Sequence, residues 1–144
     1  MIWLFKNRIN VDVVASCWLI TCFDSENHNL IKFIKEGENI TSLGNCVFFT
    51  FDEAEWRQNK CNTLFEALLL RFNVNSPILQ KMAFVIREAD KRSDNPPPLS
   101  IALNIMLDGW KLSNSSTKTL YSDIVEKFNP VFDSLYSYYK NMLG

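Results

Sequence analysis

Acidic side chains lie at the ends of two predicted helices, where their carboxylates could bind a ligand. Asp12 falls in the first turn of an apolar segment that follows the N-cap residue Asn10, and Asp90 ends another helix two residues after Glu88. A carboxylate at a helix C-terminus opposes the helix dipole, and local rules are more often broken at functional sites. Clustered carboxylate oxygens suit a hard divalent cation better than zinc. We therefore predict that Asp12, Glu88 and Asp90 are candidate metal ligands, with Asn10 nearby.

A structural interpretation of the same acidic residues stays open. Asp12 is favoured by the dipole of its own helix without any ligand. The basic side chains of Arg87 and Arg92 are close enough in sequence to form a salt-bridge network with the acidic residues at the end of their helix. If Asp12 and Asp90 converge, a cation, a basic side chain or a raised pKa must accompany them, because two neighbouring carboxylates repel each other.

The cysteines do not form a metal or redox motif. The four positions, which contain no C-x-x-C pair, are Cys17, Cys22, Cys46 and Cys61. We expect reduced thiols. Cys22 shares an apolar helical stripe with Trp18 and is predicted to be a small buried hydrophobe.

Cys61 is the one cysteine for which the sequence suggests reactivity. The cations Arg57 and Lys60 precede it closely and would lower the pKa of its thiol. A structural thiol is the alternative. The single histidine, His28, lies in a polar turn, so neither a catalytic triad nor a histidine-rich metal site can be assembled.

Composition limits the class of protein. The chain has 144 residues, the size of one domain, and we treat 1–144 as a single domain. With 15 basic and 16 acidic residues it has a formal charge of −1, so no net positive field would collect nucleic acid. The apolar run 11–23 is too short to span a bilayer, and no signal peptide is evident at the N-terminus. We expect a cytoplasmic protein with neither a nucleic-acid nor a membrane partner.

The pattern of apolar residues predicts an α+β fold that is mostly helical. Short runs of β-branched and aromatic residues at 2–6, 30–35 and 46–52 predict a small N-terminal sheet of three strands. About five helices account for the other periodic segments. Their expected N-caps include Asn10, Thr63 and Ser76, and the fourth helix is expected to stop at Gly109. Three prolines in 92–98 predict a mobile or site-forming loop before that helix.

The last predicted helix carries more aromatic surface than one core can cover. Apolar residues from 121 to 142 repeat at spacings of three and four, and further aromatic residues lie on other faces. We expect homodimerisation through this C-terminal helix. Asn129 and Pro130 interrupt it, and the unbroken stripe favours a kink over two separate helices.

The opening helix also carries a family resemblance. The segment NVDVVASCWLITCFD at 10–24, centred on Trp18, resembles the start of the C-terminal domain of the chromate-resistance protein ChrB. The resemblance continues in FEALL at 65–69 and VIREAD at 85–90, and it covers most of residues 3 to 142. Where the family usually has histidine, arginine and histidine, this chain has Asn10, Val13 and Trp56.

The resemblance implies an association with chromate or oxidative-metal stress. Because its usual histidines are replaced, the remaining candidates for a site are Asp12, Cys61 and Asp90, beside Trp18, Arg57 and Lys60. Three functions follow as alternatives. The first is a stand-alone stress-response domain with a small polar site between the first and third helices, and the second is a non-catalytic dimerisation or interaction module. The third is a metal-dependent enzyme whose substrate the sequence does not identify. Bound metal would favour the first, whereas a metal-free dimer would favour the second.

Overall fold

A computed structural model describes residues 2–6, 8–24, 31–34, 46–48, 61–114 and 121–144 of the chain. The strands are β1 (Ile2–Lys6), β2 (Ile31–Ile34) and β3 (Cys46–Phe48). The helices are α1 (Val11–Phe23), α2 (Leu64–Arg71), α3 (Pro77–Lys91), α4 (Pro98–Ser113) and α5 (Tyr121–Leu143). The mostly helical α+β class with five helices is therefore confirmed for the described part of the chain.

The sheet is parallel and has β1 at its centre. Strand β1 pairs with β2 in a register that sets Trp3 opposite Ile31, and with β3 in a register that sets Trp3 opposite Val47. Parallel neighbours require crossover connections, and α1 lies in the connection between β1 and β2. Trp3, Leu4 and Phe5 are all buried, as expected for a strand covered on both faces.

Helix α1 lies at the centre of the molecule. Its first ten residues, Val11 to Ile20, are all buried, so this helix does not have one apolar and one polar face. It contacts α2, α3, α4 and α5. Buried residues of β1 and all five helices belong to one hydrophobic cluster. Polar residues of α1 are therefore held inside the protein.

Of two predictions about the later helices, one needs correction. Helix α4 does not stop at Gly109 but continues to Ser113. A single glycine lowers the stability of a helix by only about 1 kcal/mol, and the neighbouring helical turns offset this cost. The segment around Pro130 is a single helix, α5, as the unbroken apolar stripe predicted.

Within the described residues, all predicted strand positions lie in strands. β2 begins at Ile31 and ends at Ile34, and β3 begins at Cys46 and ends at Phe48, while the predicted positions 30, 35 and 49–52 lie outside the described residues. In the part of the chain that is described, no helix is both long and apolar enough to cross a membrane.

Candidate functional site

The N-terminus of α1 is capped by its own sequence. The side-chain oxygen of Asn10 accepts a hydrogen bond from the backbone N–H of Val13 at 2.8 Å, and Asn10 has extended backbone angles. This confirms Asn10 as the N-cap. Since its oxygen already serves the helix, Asn10 has a structural task at the position where the similar family has histidine.

Asp12, in the first turn of α1, does not cap its own helix but the helix α2. Its Oδ2 accepts from the backbone N–H of Leu64 at 2.8 Å, and its Oδ1 accepts from the N–H of Phe65 at 2.9 Å. These are the first two residues of α2, whose N–H groups have no partner within that helix. A buried carboxylate of one helix thus holds the positive end of another.

The next N–H group of α2 is satisfied locally. Thr63, the buried N-cap, accepts from the N–H of Glu66 at 3.1 Å through its hydroxyl. The Glu66 carboxylate turns back to the N–H of Asn62, at 3.5 Å, and not to that of Thr63 as a standard capping box would. Together Asp12 and Thr63 bind the first three N–H groups of α2.

Burial and charge raise the pKa of Asp12 to about 7 from an ordinary value of 3.8. The largest cause is the loss of water around the carboxylate, because Asp12 is only 6% exposed. The two N–H bonds from α2 oppose the shift, and the negative charges of Asp90 and Glu66 add to it. Asp12 therefore exchanges its proton near neutral pH, which few aspartates do.

Asp90 is close enough to act on Asp12 electrostatically, as the predicted convergence of α1 and α3 requires. Asp90 lies at the surface in the last turn of α3, and its own pKa is raised by partial desolvation. The positive charge of Arg8, two residues before the α1 N-cap, opposes that shift. We call Arg8, Asp12, Glu66 and Asp90 the Asp12 cluster.

Three other charged residues near the end of α3 have partners of their own. Glu88 accepts a hydrogen bond from the hydroxyl of Ser93. Arg87 pairs with Glu66 at 3.6 Å, and Arg92 pairs with Asp108 of α4 at 3.2 Å. Arg87 and Arg92 thus form salt bridges with acids of α2 and α4, and not the predicted network with the acidic residues at the end of their own helix.

The segment between α3 and α4, predicted as a mobile or site-forming loop, is bounded by polar contacts. The hydroxyl of Ser100 donates to the carbonyl of Val85 at 2.7 Å, and the amide of Asn104 donates to the carbonyl of Ala89 at 3.0 Å. Arg92 closes α3 with a positive φ of 49°. These bonds fix the start of α4 against the end of α3, which carries Asp90.

A metal site formed by Asp12, Glu88 and Asp90 stays a prediction. Among the described residues no three His, Cys, Asp or Glu side chains come together as a group that could hold a metal ion. Each Asp12 oxygen accepts one N–H bond and keeps one further lone pair. Asp12 therefore keeps lone pairs with which it could bind a cation.

Trp18 and the cysteines occupy different parts of the fold. Trp18 is 4% exposed, packs against Phe132 and Tyr136, and donates from Nε1 to Oδ1 of Asp133 at 2.8 Å. Cys22 is exposed and not buried as predicted, because the end of α1 emerges from the core; desolvation and Asp133 raise its pKa to about 11.

The prediction of a lowered pKa for Cys61 is wrong. Desolvation, the larger cause, and the negative charge of the nearby Glu66 both raise the pKa of its thiol. Arg57, Lys60 and His28 lie outside the described residues. Cys61 is therefore no longer a candidate for a reactive thiolate.

Sequence reasoning missed Arg8, Glu66 and Lys111. Glu66 lies in the first turn of α2, and Arg8 lies outside any predicted element. The Lys111 ammonium donates to the carbonyl of Ile9 at 2.6 Å, which ties the end of α4 to the segment before α1. No signal in the sequence links positions 102 residues apart, so this contact could not be read from spacing.

Comparison with known families gives one finding. The family model described as the ChrB C-terminal domain matches residues 3–139, nearly the whole chain. No curated protein and no solved structure matches the chain significantly. The match includes Arg8, Asp12, Glu66 and Asp90, so the whole Asp12 cluster lies within the family domain.

Proposed function

The chain belongs to the ChrB C-terminal domain family, a chromate-resistance-related domain, and from this we propose that it acts in the response to chromate or oxidative-metal stress through the Asp12 cluster. The observation that supports this site is the burial of Asp12 between two helices beside two further carboxylates. The proposed ligand is a hard divalent cation, and the proposed role is that of a responsive domain, not of an enzyme.

The balance of charge favours a cation over an oxyanion. Asp12, Glu66 and Asp90 are acidic, and Arg8 and Arg87 are the cations that act on them. Chromate is an anion, and the negative charges of Asp90 and Glu66, which add to the desolvation that raises the pKa of Asp12, would also repel chromate. The link with chromate stress is therefore expected to be indirect, through a cation or through protons.

The number of carboxylates suits a hydrated ion. Magnesium is usually held by one or two carboxylates and keeps several of its waters, and manganese also prefers oxygen ligands. Asp12 and Asp90 can supply two carboxylates without a third protein ligand. Cation binding would oppose the mutual repulsion of the two groups and would release the proton of Asp12.

Calorimetric titration of the purified protein with Mg²⁺, Mn²⁺ and chromate, in separate experiments at pH 7, tests this site. We expect heat of binding for a divalent cation, with proton release, and none for chromate. Asp90→Asn is expected to weaken cation binding about tenfold or more. Asp123→Asn, which removes the same charge from an exposed position in the first turn of α5, is the control and should bind like the parent.

Absence of binding for both cations would contradict the cation site, and equal weakening by the two variants would show a non-specific charge effect. The stress role has a separate test. Deleting the gene in its own host should increase sensitivity to chromate or to oxidative-metal stress. Unchanged sensitivity would refute the role while leaving the binding result intact.

A further inference from the structure

An apolar groove lies between α4 and α5. It has a volume of about 320 Å³ and is lined by side chains of both helices, among them Leu99, Met106, Val131 and Tyr138. The only hydrogen-bonding side chains in its lining are those of Ser134 and Tyr138. Because the hydroxyl of Ser134 donates to the carbonyl of Pro130 at 2.8 Å, it is already used within α5. The groove thus offers an occupant little except apolar contact.

Helix α4 is apolar around most of its circumference. Its inner side buries Ser100, Leu103 and Leu107 against the core, whereas Ile101 and Ile105, one turn apart on the outer side, are 45% and 65% exposed. Its polar residues fall on one narrow strip, and no charged residue occurs in 98–107. Helices that are apolar all round are normally covered on all sides.

The exposed apolar area of the two helices together approaches that of one side of a protein interface. The large apolar side chains that are at least 37% exposed on α4 and α5 are Leu99, Ile101, Ile105, Met106, Leu112, Tyr138, Met142 and Leu143. At their exposed fractions, side chains of this size offer on the order of 700 Å² together. A stable interface of standard size buries about 800 Å² per partner.

We propose that this α4–α5 face is the interface of a homodimer, in which a second copy of the chain covers it. The face carries both a groove and, on the far side of α4, the projecting stripe of Ile101 and Ile105. A twofold interface must be self-complementary, and a ridge beside a groove meets this need when the ridge of each copy enters the groove of the other.

The charge pattern also fits a second copy. Residues 98–107 bring no charge to the face, so its α4 part has nothing with which to select an acidic or basic partner. Where the α4 helices of two copies meet, this uncharged segment leaves no buried charge unpaired. The dimer does not depend on the Asp12 cluster and extends the earlier expectation of self-association through the last helix by placing α4 at its centre.

Sedimentation equilibrium of the full chain over a wide concentration range tests the dimer. We expect reversible self-association, with a dimer at high concentration. Ile105→Glu and Met106→Glu should each raise the dissociation constant about a hundredfold or more, because the symmetry places every new carboxylate in the interface twice. Circular dichroism should show that both variants stay folded, since both positions are exposed.

Leu70→Glu is the matched control, with the same charge placed at a 57% exposed apolar position of α2. It should leave the dissociation constant unchanged. A parent protein that stays monomeric at every concentration would overturn the proposal. So would a dimer that tolerates both α4 substitutions, or one that Leu70→Glu disrupts equally, because the interface would then lie elsewhere.

Discussion

The Asp12 carboxyl group couples the stability of the fold to pH. Its pKa is about 7 in the folded protein and 3.8 as a model value. Between these two values the folded state keeps a proton that the unfolded state has released, so the free energy of unfolding falls as pH rises from about 4 to about 7. Each unit within this window costs up to about 1.4 kcal/mol. Asp90, with its raised pKa, acts in the same direction.

Asp12→Asn should therefore flatten this pH dependence. The amide is uncharged at every pH, so the parent should lose stability between pH 5 and pH 8 and the variant should lose less, by roughly 1–3 kcal/mol. Urea denaturation at the two pH values measures the difference. Asp94→Asn, at an exposed residue after α3, is the control and should keep the parent slope. Parallel slopes in Asp12→Asn and the parent would show that Asp12 does not titrate in this range.

Trp18 contributes stability by its volume more than by its hydrogen bond. It is buried against Phe132 and Tyr136, whereas its partner Asp133 is exposed and can be hydrated if the bond is lost. Trp18→Ala should cost roughly 3–5 kcal/mol and Trp18→Phe clearly less, as measured by urea denaturation. A loss under about 1 kcal/mol for Trp18→Ala would contradict its place in the core.

At the scale of secondary structure, the helix starts could be predicted from the sequence, because a capping side chain binds a backbone N–H only a few residues away. The Asn10, Thr63 and Ser76 side chains all accept the predicted kind of backbone bond. The C-terminal ends of helices were harder to predict from the sequence. Gly109 resembles a stop signal, but α4 runs through it because apolar residues on both sides of that position are packed.

Gly109→Ala should stabilise the protein. The glycine lies inside α4, and a Cβ at this position would meet nothing within 4 Å. Alanine restricts the unfolded chain and favours the helix, so we expect a gain of about 0.5–1 kcal/mol in thermal or urea unfolding. A loss of stability would mean that the helix does not continue through position 109.

At the scale of the whole molecule, the main structural bond of the site joins residues that are far apart in sequence. Asp12 and Leu64 are 52 positions apart, and nothing in their spacing indicates that one caps the helix of the other. The amphipathic pattern of α3 predicted its buried face, whereas α1 is buried on all sides and its pattern could not show which helix would meet Asp12.

The family assignment, by contrast, was available from the sequence. The apolar order around Trp18 and the VIREAD segment carry it, and residues 3–139 match the family. The replaced family positions could be seen in the sequence as well. The site that remains could be identified only from the fold, because the Asp12 cluster joins residues from the segment before α1 and from α1, α2 and α3.

The central claim is that a buried carboxyl group at the junction of α1, α2 and α3 exchanges its proton near neutral pH and responds to a cation. The most direct measurement is the pH titration of the Asp12 carboxyl carbon by NMR, assigned with Asp12→Asn, with and without Mg²⁺. We predict a midpoint near 7 without the ion and a lower midpoint with it. A midpoint near 4 that Mg²⁺ leaves unchanged would contradict the account.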